Sequence, residues 1–149
     1  MANDIVLACQ WCGQLNRIDA ARYADRPKCH QCNKPFLLDR PVKVKDEDFD
    51  RTVLGSDIPV LVDFYADWYG PCKMMQPLLD NLASELAGRV LVVKVDTDAS
   101  PTVSQRYGIK SIPLFGRFEN GQLSGTAVGA QSLDALRQFA LGADAPTPQ

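Results

Sequence analysis

The sequence contains no apolar run approaching the ~18 residues of a membrane-spanning helix. Its opening stretch, MANDIVLACQWCGQ, lacks the basic-then-apolar layout of a secretory signal. It has little net charge: 16 lysines and arginines against 18 aspartates and glutamates leave −2, which excludes a broad electrostatic grip on nucleic acid. No internal repeat is visible. Histidine occurs once, as His30. These absences point to a soluble, intracellular protein with neither membrane nor nucleic acid among its partners.

What is present suits a folded chain. The 149 residues allow one ordinary domain, or a small one joined to a medium one. At 46% hydrophobic and 23% charged, the chain can bury a core. Its five cysteines fall into three groups: Cys9 with Cys12, Cys29 with Cys32, and Cys72 alone. An odd count in close pairs is a poor disulfide framework, and in a reducing compartment such pairs more often bind metal or do redox work.

Residues 1–40 and 41–142 differ in character, and 143–149 read as a mobile tail. The first segment is polar, carries four cysteines and is too small to fold on apolar burial alone, so it needs a staple of its own. Cys9-x-x-Cys12, sixteen residues, then Cys29-x-x-Cys32 is the spacing of a closed structural zinc site. Four free or disulfide-bonded cysteines are the bland alternative. His30 adds nothing to a full ligand set and reads as a surface residue.

From Pro41 the pattern is regular. Val42 and Val44 suggest a short strand, and Asp46 suits the N-cap of a helix that stops at Gly55. IPVLVDFYA (58–66) and RVLVVKVD (89–96) read as buried strands. A helix over 71–87 begins at a proline and carries Pro77 inside it, where a kink is expected. A short helix spans 100–107. PLFGRF (113–118) and QLSGTAV (122–128) flank Asn120-Gly121, a hairpin signal, and an amphipathic helix closes over 132–141. Strands alternating with helices and ending in a hairpin predict an α/β domain with a mixed sheet.

DFYADWYGPCKMMQPLLDNLA, KVDTDASP, YGIKSIP, ENGQ and VGA together resemble the thioredoxin family over about residues 41–142. With CQWCGQLNRIDAARYADRPKCHQCNKPF added, the chain is similar to that family's bacterial, cytosolic thioredoxin 2 branch, which carries an N-terminal zinc module. The resemblance implies a thioredoxin fold behind a small zinc-ribbon-like module, and protein-disulfide oxidoreductase activity in the cytoplasm. It also implies structural zinc, no bound organic cofactor, oxidised protein clients, and thioredoxin reductase, with NADPH behind it, as electron source. Position by position, Cys72 matches the resolving cysteine, and Trp68, Gly70 and Pro71 match the active-site loop. Asp63 matches the buried carboxylate that handles the resolving thiol's proton, with Lys94 as its basic partner. Ile112-Pro113 matches the cis-proline segment, and Gly129 the substrate groove.

Some of this has an independent motive. A carboxylate inside VLVDFYA faces desolvation, which raises its pKa and suits it to proton transfer. The alternative is a solvated aspartate at a strand end. Lys94 could equally be a snorkelling lysine, and Trp68 ordinary packing.

Two departures stand out. Tyr69 occupies the place of the nucleophilic cysteine, and a phenol forms no disulfide. The remaining thiol, Cys72, would have no neighbour to resolve a mixed disulfide, so the catalytic cycle should be lost. Either the nucleophile of a working oxidoreductase has been substituted, or the protein is a non-catalytic binding module that uses the groove, the zinc module or both. The second departure is IPLFGRF. Threonine usually follows the cis-proline, whereas here Leu114, Gly116 and Arg117 occupy the strand, and an arginine there must reach water or find a partner.

Overall fold

The computed structural model describes residues 2–142; the expected tail over 143–149 lies outside them. Among the described residues, seven strands form two sheets. β1 (Asp4–Ala8) and β2 (Leu15–Asp19) make an antiparallel hairpin. The larger sheet holds β3 (Val42–Lys43), β4 (Val60–Tyr65), β5 (Leu91–Asp96), β6 (Leu114–Glu119) and β7 (Gln122–Val128), in the order β3-β5-β4-β6-β7. β3, β5 and β4 run parallel, while β6 and β7 are antiparallel. The helices are α1 (Gly70–Glu85), α2 (Pro101–Arg106) and α3 (Leu133–Ala140). This is the mixed-sheet α/β domain expected from the pattern.

The central strand β4 is buried at every position, which is why its sequence shows no alternation. Leu61, Val92 and Phe115 face Met75, Leu79 and Leu82 of α1 and Leu136 and Phe139 of α3. Val60, Val62, Phe64, Val93, Val95 and Phe118 belong to a second apolar cluster that also holds Ile5, Leu7, Ile18, Phe36 and Leu38. The boundary near residue 40 therefore divides the sequence but not the core. A staple of its own was expected for the first segment; the apolar packing also continues across the boundary. Thr52 Oγ1 donates to the Val6 carbonyl at 2.6 Å, and the Asp57 N–H donates to the Asp4 carbonyl at 2.9 Å.

Local structure departs from the sequence reading over residues 46–55. The expected helix over 46–55 is a turn leading into a π-helical stretch, Asp50–Leu54. Asp46 does cap a helix, but a distant one: its carboxylate accepts from the Thr102 and Val103 N–H groups at 3.1 and 3.0 Å, at the start of α2. Those free donors hold its carboxyl below its usual range despite desolvation. Arg117 is buried, and its Nε donates to the Ala140 carbonyl at 3.0 Å while its Nη1 meets Glu119 Oε2 at 2.7 Å. α1 continues through Pro77. Gly116 leaves room for its neighbours, since a Cβ there would lie 3.2 Å from both Leu123 and Phe118.

Candidate redox site and metal centre

Strand β4 runs into the loop 66–69 and then into α1, so the residues expected to do chemistry converge at one end of the sheet. Tyr69 is the N-cap of α1, in extended conformation and without a side-chain capping bond. Its ring meets that of Trp68 edge-on at 5.6 Å. Trp68 is 68% exposed and Tyr69 37%. The Trp68 indole Nε1 donates to Asp98 Oδ2 at 2.8 Å, which fixes the ring across the loop. Asp98 was not singled out from the sequence; its place in KVDTDASP, one turn before Pro101, gave no signal of a partner thirty residues away.

Cys72 lies in the first turn of α1 and is only 2% exposed. Burial pushes its thiol above the ordinary value; a hydrogen bond with the Ala66 backbone works against this, and the Asp63 charge adds to it. Asp63 is buried in β4, with its Oδ1 lacking a partner among the described residues. Desolvation raises its carboxyl to about 7, against the opposing charge of Lys94, its register partner on β5. Lys94 is half-buried, with Nζ 4.3 Å from the centre of the Tyr65 ring. Ile112-Pro113 is a cis peptide, and the Pro113 carbonyl accepts from the Gly129 N–H at 2.8 Å. Gly129 has φ of +86°, a conformation that favours glycine. Gly70 is exposed and Pro71 half-buried, in the first turn of α1.

In the N-terminal segment, the sulfurs of Cys9, Cys12, Cys29 and Cys32 all lie within 4.8 Å of one another. Cys9 and Cys32 are 3.5 Å apart, and Cys12 and Cys29 3.6 Å. A tetrahedral zinc with ~2.3 Å bonds to sulfur needs sulfurs about 3.8 Å apart, so the set fits that ion. The two CxxC turns are built alike. Gly13 N–H donates to the Cys9 carbonyl and Asn33 N–H to the Cys29 carbonyl, each at 2.9 Å. Trp11 N–H points at Cys9 Sγ and Gln31 N–H at Cys29 Sγ, each at 3.4 Å. Gly13 and Asn33 both have positive φ, the conformation that closes each turn. A glycine or asparagine just after each CxxC was the legible signal for this. The His30 side chain is exposed, as expected.

Comparison with known proteins decides the family. A model described as thioredoxin matches residues 40–141, and one described as thioredoxin 2, N-terminal, matches residues 8–34. The chain belongs to the thioredoxin family. It comprises a thioredoxin domain preceded by a thioredoxin 2 zinc ribbon. It is 46% identical over 93 residues to a thioredoxin of Rickettsia felis, covering 62% of this chain and 89% of the relative. To thioredoxin 1 of a Nostoc species it is 47% identical over 96 residues, covering 64% and 90%. To the chloroplastic thioredoxin M5 of Oryza sativa subsp. japonica it is 43% identical over 109 residues, covering 73% and 62%. No helix among the described residues is long and apolar enough to cross a membrane.

Proposed function

We propose that this thioredoxin is a protein-disulfide oxidoreductase whose dithiol cycle is broken at position 69, with its N-terminal ribbon held by one structural zinc. The observation that carries this is the relation between Tyr69 and Cys72. A partly exposed phenol stands at the helix N-terminus, and the one thiol left in the site is buried a turn behind it.

In the complete reaction, a thiolate at the first position attacks a client disulfide and one client sulfur leaves as a thiol. Cys72 then attacks the mixed disulfide. The client leaves with two thiols, and the pair on the chain becomes a disulfide that thioredoxin reductase reduces again. Each residue present has a part in that scheme. The α1 dipole and free N–H groups stabilise negative charge at position 69. Asp63, near neutral pKa, accepts the Cys72 proton, and Lys94 offsets the carboxylate that results. Trp68, Gly70, Pro71, Ile112, Pro113 and Gly129 form the groove for an extended client segment. As the chain stands, Cys72 thiolate can displace one client sulfur, but no second thiol follows to release the mixed disulfide.

Cys9, Cys12, Cys29 and Cys32 would hold the zinc, which contributes folding energy and has no open position for catalysis. The dependence of both sites on reduced cysteines supports a cytoplasmic setting.

A second reading is a client-binding module without turnover. Trp68 and Tyr69 in the loop and Met74 in the second turn of α1 are exposed hydrophobic side chains, with Met74 70% exposed. Incubation of the chain with a disulfide-bonded client, followed by intact-mass analysis, tests the first reading. A slow one-to-one adduct through Cys72 that persists until external thiol is added is expected. Repeated release of reduced client would contradict it, and capture of clients by a Cys72→Ser variant as strong as that of the parent would favour pure binding.

A further inference from the structure

The zinc ribbon contains one buried polar side chain that is not a ligand. Asn16 stands near the start of β2 and is 3% exposed. Its Nδ2 donates to the Gln14 carbonyl at 2.9 Å, just beyond the first CxxC turn, and lies 3.4 Å from Cys29 Sγ in the second. Its Oδ1 accepts the His30 N–H at 3.0 Å, inside the second turn. One side chain thus bridges both turns. Cys29 thereby receives a side-chain N–H from Asn16 in addition to the Gln31 backbone N–H, whereas Cys9 has the matching backbone donor, Trp11, and, among the described residues, no side-chain N–H.

The geometry points to Asn16 as the positioning residue of the metal centre, one that sets the distance between the two CxxC turns and tunes the sulfur of Cys29. This rests on the zinc reading above but not on the redox reading. Charge needs the bond. Four thiolates around one divalent cation leave an excess of negative charge in a half-buried site, and N–H donors aimed at sulfur spread it. Geometry needs it too. The two turns come from segments sixteen residues apart, and a side chain bonded to both fixes how they face each other before metal arrives.

The test on the parent chain loads it with ¹¹³Cd and looks for scalar coupling between the metal and an Asn16 Hδ2 proton. Coupling through N–H···S–Cd is expected; its absence would overturn the assignment. Asn16→Ala and Asn16→Asp extend the test. Zinc affinity against a competing chelator should fall about ten- to a hundredfold in both. The thiolate-to-metal charge-transfer band of the Co²⁺ form should move to lower energy as Cys29 loses a donor. Thr52→Val, which loosens the hairpin elsewhere, should leave that band in place. A folded Asn16→Asp variant with affinity within threefold of the parent and an unmoved band would contradict the proposal. A parent chain that takes up none of the three metals would remove the zinc reading itself, and the role of Asn16 with it.

Discussion

Thr52 donates its hydroxyl proton to the Val6 carbonyl at 2.6 Å, joining the flank of the thioredoxin domain to the first strand of the zinc ribbon. Thr52→Val keeps the shape and leaves that carbonyl unpaired, at a cost of about 1–2 kcal/mol. Denaturant unfolding followed by far- and near-ultraviolet dichroism should show one transition, shifted to lower denaturant. Two separate transitions would contradict the shared core.

Metal removal should act through the same interface. Ile5, Leu7, Ile18, Phe36 and Leu38 pack in one cluster with Val60, Val62 and Phe118, so disorder of the ribbon strips cover from the main sheet. Elemental analysis should find about one zinc per chain. Chelation should then lower amide protection in β4 and β5 as well as in residues 1–40. Full protection of the large sheet after chelation would mean that the ribbon is an independent unit.

Asp63 should make stability depend on pH. Its carboxyl is raised from 3.8 unfolded to about 7 in the fold, so the folded state binds the extra proton. Stability attributable to this group is therefore highest below pH 4 and falls as pH rises to 7, by a total on the order of 4 kcal/mol. Asp63→Asn should stabilise the chain above pH 7 and bring no gain near pH 4. An equal gain at both pH values would show that desolvated charge is not the cause.

The core strands and the order of elements were legible because period and length separate buried strands from helices. Asp63 was legible too, as a carboxylate inside an apolar strand, and Cys72 through the resemblance of the motif around it. The ribbon hairpin was not, because in DIVLA and LNRID only Ile5, Leu7, Asn16 and Ile18 face inward, and one of them is an amide. Asp46 misled for a physical reason: an N-cap preference says that a carboxylate will meet helix donors, not which helix supplies them. Long-range side-chain bonds, such as Trp68 to Asp98 and Asn16 to Cys29, leave no periodic trace.

Arg117 holds the C-terminal end of α3 through the Ala140 carbonyl and also contacts Ser124 and Glu119. Arg117→Met keeps much of the stem and removes all three bonds. A loss of about 1–3 kcal/mol is expected, with amide exchange accelerating first in residues 138–142. Unchanged protection there would show that Arg117 fills space and does not anchor the helix.

The most direct test is insulin-disulfide reduction, driven by a chemical dithiol, with the parent chain and its Tyr69→Cys variant side by side. In the variant, sulfur at position 69 gains the helix dipole and N–H stabilisation that lower a thiol pKa, and Cys72 regains a partner to close on. Leu114 and Arg117 lie within β6, which pairs with β4, and Arg117 is bonded to the Ala140 carbonyl, so the strand beside the site is formed. Turnover at background for the parent and at least a hundredfold above it for Tyr69→Cys is the expected result. Equal rates for the two chains, or a folded Tyr69→Cys variant that stays inactive, would contradict it.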